Sequence, residues 1–182
     1  LNVHPSLLPM FRGASPIRSA ILADHNITGV TVMMLDDKMD HGPILNQEVI
    51  EIPEEDWPLS GPEMDILLAE AGGNLLAETI PGLLDGTINP QEQEHEGATY
   101  CGKLDKSMAE LDIDPTKLPT RNDAYKVFLK IQAFAGWPTA FFMHDDKRFK
   151  VTSAKLSDSG DLIIEKIIPE GKKEADFSTY FN

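Results

Sequence analysis

The run Gly29-Val30-Thr31-Val32-Met33-Met34-Leu35 most limits what this chain can fold into. An apolar, β-branched stretch of this kind, bounded by polar sequence, reads as a strand buried in a sheet. The polar break Asp36-Asp37-Lys38-Met39-Asp40-His41-Gly42 ends it, and Ile44 to Ile52 resumes as a second strand. A polar loop between two such strands is a place for functional side chains. Upstream, Leu1-Asn2-Val3-His4 reads as extended, and Pro5 and Pro9 bracket a short apolar loop. Ser15-Pro16 signals a helix start, with Ile17, Ala20 and Ile21 at helical spacing. Ser60-Gly61-Pro62 opens another helix, in which Leu68, Gly72, Leu75, Leu76, Thr79, Ile80 and Leu83 share one face. Its Gly72-Gly73 pair weakens it by about 1 kcal/mol per glycine relative to alanine, and marks either close packing on a sheet or a kink. The order β-α-β-β-α is that of one half of an α/β domain.

Thr87 to Gly97 is polar, with Pro90 and the run Gln91-Glu92-Gln93-Glu94, and reads as a linker. Ala98-Thr99-Tyr100 is a short extended segment. Thr120 and Asp123 resemble a capping box, and Ala124, Val127, Phe128, Ile131, Phe134 and Ala135 follow on one helical face. Gly136 and Pro138 stop that helix. Phe141 to Met143, Phe149 to Val151 and Leu162 to Ile168 read as strands separated by turn residues. The expected organisation is a first domain over 1–88, a linker over 89–97 and a small β-rich domain over 98–182.

At 182 residues the chain is long enough for one domain, or one medium and one small. Cys101 is the only cysteine, which rules out an internal disulfide and fits a reducing compartment. No apolar run reaches bilayer-spanning length. The net charge of −14 lies in residues 1–100, which carry 3 Lys+Arg against 17 Asp+Glu; residues 101–182 balance at 13 of each sign. That balance argues against sequence-independent nucleic-acid binding by bulk charge. It leaves room for a local basic face on the second half. Lys147-Arg148-Phe149-Lys150 is suited either to a phosphate backbone or to a lysine-protected edge strand.

Asn2 and His4 are the first candidates for chemistry. Residues i and i+2 of a strand project to one face. An amide and an imidazole held together there can stabilise an oxyanion and handle a proton. Asp40, in the loop after a strand, can sustain the imidazole charge. The set has no side-chain nucleophile, so it suits direct attack by an amine on a bound acyl donor. The competing reading is structural: Asn2 ends a strand, His4 is a satisfied core histidine and Asp40 closes a turn with Gly42. A metal site from His4, Asp36 and His41 has no supporting motif. Cys101 reads as a half-buried small residue, and Trp137, Phe141 and Phe142 as core.

Asn2-Val3-His4-Pro5-Ser6-Leu7-Leu8-Pro9, Phe11-Arg12-Gly13-Ala14-Ser15-Pro16-Ile17, Thr28-Gly29-Val30-Thr31-Val32-Met33 and Met39-Asp40-His41-Gly42-Pro43-Ile44-Leu45 together resemble the folate-dependent formyltransferases. The resemblance implies an α/β fold: the C-terminal half of a Rossmann-like domain, then a shortened OB-like module with about three strands where an OB fold has five. It implies a catalytic set of Asn2, His4 and Asp40, a folate-contacting loop of Ser6, Leu7, Leu8 and Pro9, and 10-formyltetrahydrofolate as co-substrate without a metal. Arg12-Gly13-Ala14 with Pro16-Ile17, Ala98-Thr99-Tyr100 with Lys103-Leu104, Ala135-Gly136-Trp137-Pro138 and Gly171-Lys172-Lys173 are similar to the branch that formylates methionyl-tRNA. That branch implies a monomeric, bacterial-type cytoplasmic enzyme of translation initiation, with methionyl-initiator-tRNA as partner. Leu1 lies inside a strand, so further sequence is expected upstream. The alternatives are a formyltransferase acting on a sugar-nucleotide or other small amine, and an idle module that docks tRNA or a partner through residues 120–168.

Overall fold

A computed structural model describes residues 1–181. The chain forms two compact units that divide between Leu104 and Asp105. Among the described residues, three α-helices and several sheets give a mixed α/β fold.

In the first unit the elements are β1 (Asn2–His4), β2 (Arg12–Gly13), α1 (Pro16–Leu22), β3 (Ile27–Met33), β4 (Ile44–Glu51), α2 (Gly61–Asp85) and β5 (Tyr100–Cys101). Strands β1, β3 and β4 form an antiparallel sheet in that order. The central strand β3 is buried from Thr28 to Met33, in keeping with its apolar run. It stops two residues short of the expected end: Met34 and Leu35 are exposed, and the Met34 N–H donates to the returning Pro43 carbonyl.

Alternation along β3 divides the sheet into two faces. Val30 and Val3 meet α2 at Gly72, where an added Cβ would stand 2.7 Å from Val3 Cγ1. Gly72 thus marks close packing, whereas a Cβ on Gly73 would meet nothing within 4 Å, and α2 runs on past both through Pro81. A capping box between Ser60 and Glu63 starts this helix. The opposite face carries Thr31 and Met33, whose partners across β1 are His4 and Asn2.

The segment read as a linker is laid against the first unit. Gln91 exchanges backbone hydrogen bonds with Ile44, and Gln93 is buried. Beyond it, β5 pairs in parallel with β2, Arg12 opposite Tyr100 and Gly13 opposite Cys101. Residues 98–104 therefore pack with the first unit, and the contact boundary falls after Leu104. Polar composition concealed this, because the buried member of the run is an amide that is fully hydrogen-bonded.

In the second unit, α3 (Arg121–Ala133) accompanies an antiparallel sheet of β6 (Phe141–His144), β7 (Lys147–Leu156), β8 (Leu162–Pro169) and β9 (Ala175–Asp176), in that order. The returning C-terminal segment supplies the fourth strand. Phe142 and Phe149 stack with centroids 5.3 Å apart, against Phe177 and Phe181. Phe149 is thereby core, while Trp137 is exposed. Thr120 takes the N-cap position of α3 without a side-chain cap bond, so the expected box with Asp123 does not form. No helix among the described residues is long and apolar enough to cross a membrane.

Candidate active site

Strand β1 places Asn2 and His4 on the sheet face away from α2, as their spacing predicts. His4 is buried, and its Nε2 lies 2.9 Å from the Phe11 carbonyl. A carbonyl only accepts, so Nε2 carries a proton. Nδ1 is then the nitrogen that gains or loses the second proton, and it stands 3.7 Å from Asp40 Oδ1. The other carboxylate oxygen of Asp40 accepts a 2.8 Å hydrogen bond from the Gly13 N–H. Asn2 is half-buried, and among the described residues its amide has no hydrogen-bond partner. The structure thus joins His4 to Asp40 and leaves the Asn2 amide available on the same face.

The loop Ser6–Pro9 is fixed from beneath by Thr31 and Gln47. Thr31 Oγ1 donates to the Ser6 carbonyl (2.7 Å) and accepts from the Leu8 N–H (3.1 Å). Gln47 Nε2 donates to the Leu8 carbonyl (2.9 Å) and to Thr31 Oγ1 (2.8 Å). Ser6 Oγ donates to the Met10 carbonyl (2.6 Å). Ser6 and Leu8 are consequently buried anchors, and Leu7 and Pro9 are the partly exposed members.

Residue-level reasoning missed a second layer. Arg12 is only 1% exposed, yet no carboxylate pairs with it among the described ion pairs. Its guanidinium donates to Gln93 Oε1 from Nε (3.1 Å) and Nη2 (2.5 Å), to the Tyr100 hydroxyl (3.3 Å) and to His95 Nδ1 (2.9 Å). Gln93 Nε2 in turn donates to the carbonyls of Asp40 (3.0 Å) and Gly42 (2.7 Å). Arg12, one of only two arginines in the first unit's acidic sequence, was the available signal; Gln93 offered none.

His41 does not meet His4. It donates through Nδ1 to Asp36 (2.7 Å) and stacks on His95 at a centroid distance of 3.9 Å. Among the described residues no group of three or more His, Cys, Asp or Glu side chains is arranged to hold a metal. The backbone N–H of Lys38, and then the His41 side chain, hold the Asp36 carboxyl below its ordinary range.

Partial desolvation, and then the charges of His41 and Arg12, push the His95 imidazole below its ordinary 6.5. The geometry agrees: a proton on Nδ1 would face the Arg12 guanidinium, which can only donate. With the folded value depressed, the stabilising contribution is full above the unfolded value and is lost as pH falls through the folded one. We expect the His95 ring to titrate at a lower pH than a free histidine in an NMR titration; a midpoint at or above the ordinary value would contradict this arrangement.

The family model described as formyl transferase matches residues 1–76, which contain the paired His4 and Asp40. A methionyl-tRNA formyltransferase of Chloroflexus aggregans is 36% identical over 157 residues, 86% of this chain. The chain belongs to the formyltransferase family. It spans about half the length of the curated relatives it matches, 48% of the Chloroflexus protein. The methionyl-tRNA formyltransferase from Clostridium thermocellum shares the fold, with a TM-score of 0.69 at 22% identity over 92% of this chain and 66% of that one. An N-formyltransferase from Helicobacter canadensis, solved with folinic acid and dTDP-3-aminofucose, gives 0.71 at 17% identity over 92% of this chain and 65% of that one. Arg12 and Gly13 fall inside the family match, whereas Gln93 and His95 lie beyond it.

Proposed function

We propose that this chain belongs to a methionyl-tRNA formyltransferase, which moves the formyl group of 10-formyltetrahydrofolate to the free amine of methionyl-initiator-tRNA in the cytoplasm. The observation that carries the reading is Asn2 beside His4 on one strand face, with Asp40 Oδ1 3.7 Å from His4 Nδ1. The 36% identity to a methionyl-tRNA formyltransferase supports this acceptor.

In the proposed reaction the amine attacks the formyl carbon, forming the new N–C bond and a tetrahedral oxyanion. The Asn2 amide and the His4 Nε2–H, which the Phe11 carbonyl now accepts, stabilise that oxygen. Collapse breaks the bond between the formyl carbon and N10 of the folate. The amine loses a proton and N10 regains one, with Asp40 and His4 Nδ1 holding the proton in transit. The Ser6–Pro9 loop frames the folate: Ser6 and Leu8 keep it rigid, and Leu7 and Pro9 are its partly exposed members. Residues 1–88 are the catalytic part in this reading, and the second unit serves as a shortened OB-like module.

Loss of one oxyanion donor typically costs about 2.7–4 kcal/mol, or about 10²–10³ in rate. Asn2→Ala in the full-length gene product is expected to lower turnover on that scale; near-normal turnover removes Asn2 from the mechanism.

A second reading, formylation of an amino sugar on a nucleotide, is supported by the fold shared with the Helicobacter canadensis enzyme solved with dTDP-3-aminofucose. Parallel assays with methionyl-tRNA and with a nucleotide-linked amino sugar separate the two acceptors. Formyl transfer that is lost in His4→Ala excludes an idle binding module.

A further inference from the structure

We infer that Gln93 is a positioning residue for Asp40, reaching the site from a segment 53 residues further along the chain. The inference rests on the proposed role of Asp40. The Asp40 backbone adopts a φ of +50°, a left-handed conformation that is less favourable than the right-handed one for any L residue, although aspartate enters it more readily than most. Two groups hold it there. The Gly13 N–H holds the carboxylate. Gln93 Nε2 holds the main chain, at the carbonyls of Asp40 and Gly42 on either side of His41.

The opposite end of the same amide is pinned equally firmly. Gln93 Oε1 accepts from both Arg12 Nε and Nη2. Arginine can only donate and a carbonyl can only accept, so one orientation of the Gln93 amide satisfies both ends and the flipped one satisfies neither. Arg12 and Gly13 are adjacent in β2. One dipeptide thereby controls Asp40 twice, through Gly13 directly and through the Arg12–Gln93 relay. Gln93 is 5% exposed and buried among these partners, so no water replaces the amide cheaply. Without the relay the Asp40 loop relaxes toward an ordinary backbone conformation, and the carboxylate leaves His4 Nδ1.

The test is a double-mutant cycle in the full-length gene product, assayed with 10-formyltetrahydrofolate and methionyl-tRNA. Gln93→Glu keeps the shape and the acceptor toward Arg12 but sets a carboxylate oxygen against two carbonyls. A displacement of about 1 Å at a reacting group can cost about a hundredfold, so kcat is expected to fall about 10–100-fold. KM for the folate should stay within about threefold, because the Ser6–Pro9 loop is held by Thr31 and Gln47 and not by Gln93. In an Asp40→Asn background the same substitution should remove less than about a further twofold, the mark of residues acting as one unit.

Equal losses in both backgrounds, or a loss confined to KM, overturn the positioning role and leave the proposed reaction standing. Full turnover in Asp40→Asn alone overturns both. Should Gln93→Glu fail to fold, Gln93→Met, which keeps the length and removes both amide functions, takes its place in the same cycle and is read by the same outcomes.

Discussion

Asp40→Asn in the full-length gene product is expected to lower formyl transfer by at least about a hundredfold while leaving the fold intact, on the scale of removing one pre-organised electrostatic partner. The replacement has nearly the same volume, but its two ends are no longer alike. Gly13 presents an N–H at 2.8 Å and demands an acceptor. The amide oxygen therefore turns to Gly13, and the NH₂ group turns to His4 Nδ1. Because His4 Nε2 already carries the proton directed at Phe11, Nδ1 meets the new donor with its lone pair. The imidazole is then held in its neutral form and loses the carboxylate that would support the charged one. Single-turnover formylation measures the effect, and the melting midpoint serves as the control. Turnover within about threefold of wild type would remove Asp40 from the reaction.

Gly13→Ala is expected to be the most destabilising methyl addition near the site, at about 3 kcal/mol or more, combining an overpacked contact with a strained backbone. Gly13 has a φ of +117°, and an added Cβ would stand 2.1 Å from the Cys101 carbonyl oxygen. The obstacle is main chain, so no side-chain rotation relieves it. The contact is also the pairing of β2 with β5, so the strands must separate for the methyl to fit. In a unit of roughly 100 residues each kcal/mol shifts the midpoint by about 4–8 °C, so thermal melting should show a fall of about 10 °C or more. A shift under about 2 °C would show that the β2–β5 pairing yields easily. Activity should fall as well, since the same residue donates to Asp40.

What the sequence disclosed follows from the range of each interaction. The period-two projection of Asn2 and His4 is local, and β1 realises it. The burial of β3 is written in its own apolar run, and the start of α2 in Ser60-Gly61-Pro62. The Gly72-Gly73 pair was ambiguous because the reason for Gly72, Val3, lies 69 residues earlier and on a different element, and Gly73 has no close neighbour. Gln93 was illegible for a deeper cause. A glutamine in a run of Gln and Glu looks solvated, and nothing nearby says that Arg12 and two loop carbonyls will meet it. Thr31 gave a fainter sign, as a hydroxyl inside an apolar run, and it proves to be the post that holds the Ser6–Pro9 loop. The role proposed for Asp40 rests on the family pattern, since an aspartate before His-Gly in a loop is ordinary turn chemistry.

The pairing of β2 with β5 also sets an order of events in folding. Arg12 and Tyr100 are 88 residues apart, and closing a loop of that length comes late relative to hairpins such as β3–β4. During synthesis the sheet and α2 can pack as soon as residue 85 is available, whereas Gly13 and Arg12 must wait for the chain to pass residue 101. The scaffold of the first unit is thus assembled first, and the geometry around Asp40 is set only when the strap from Gln91 to Cys101 has been made and laid down.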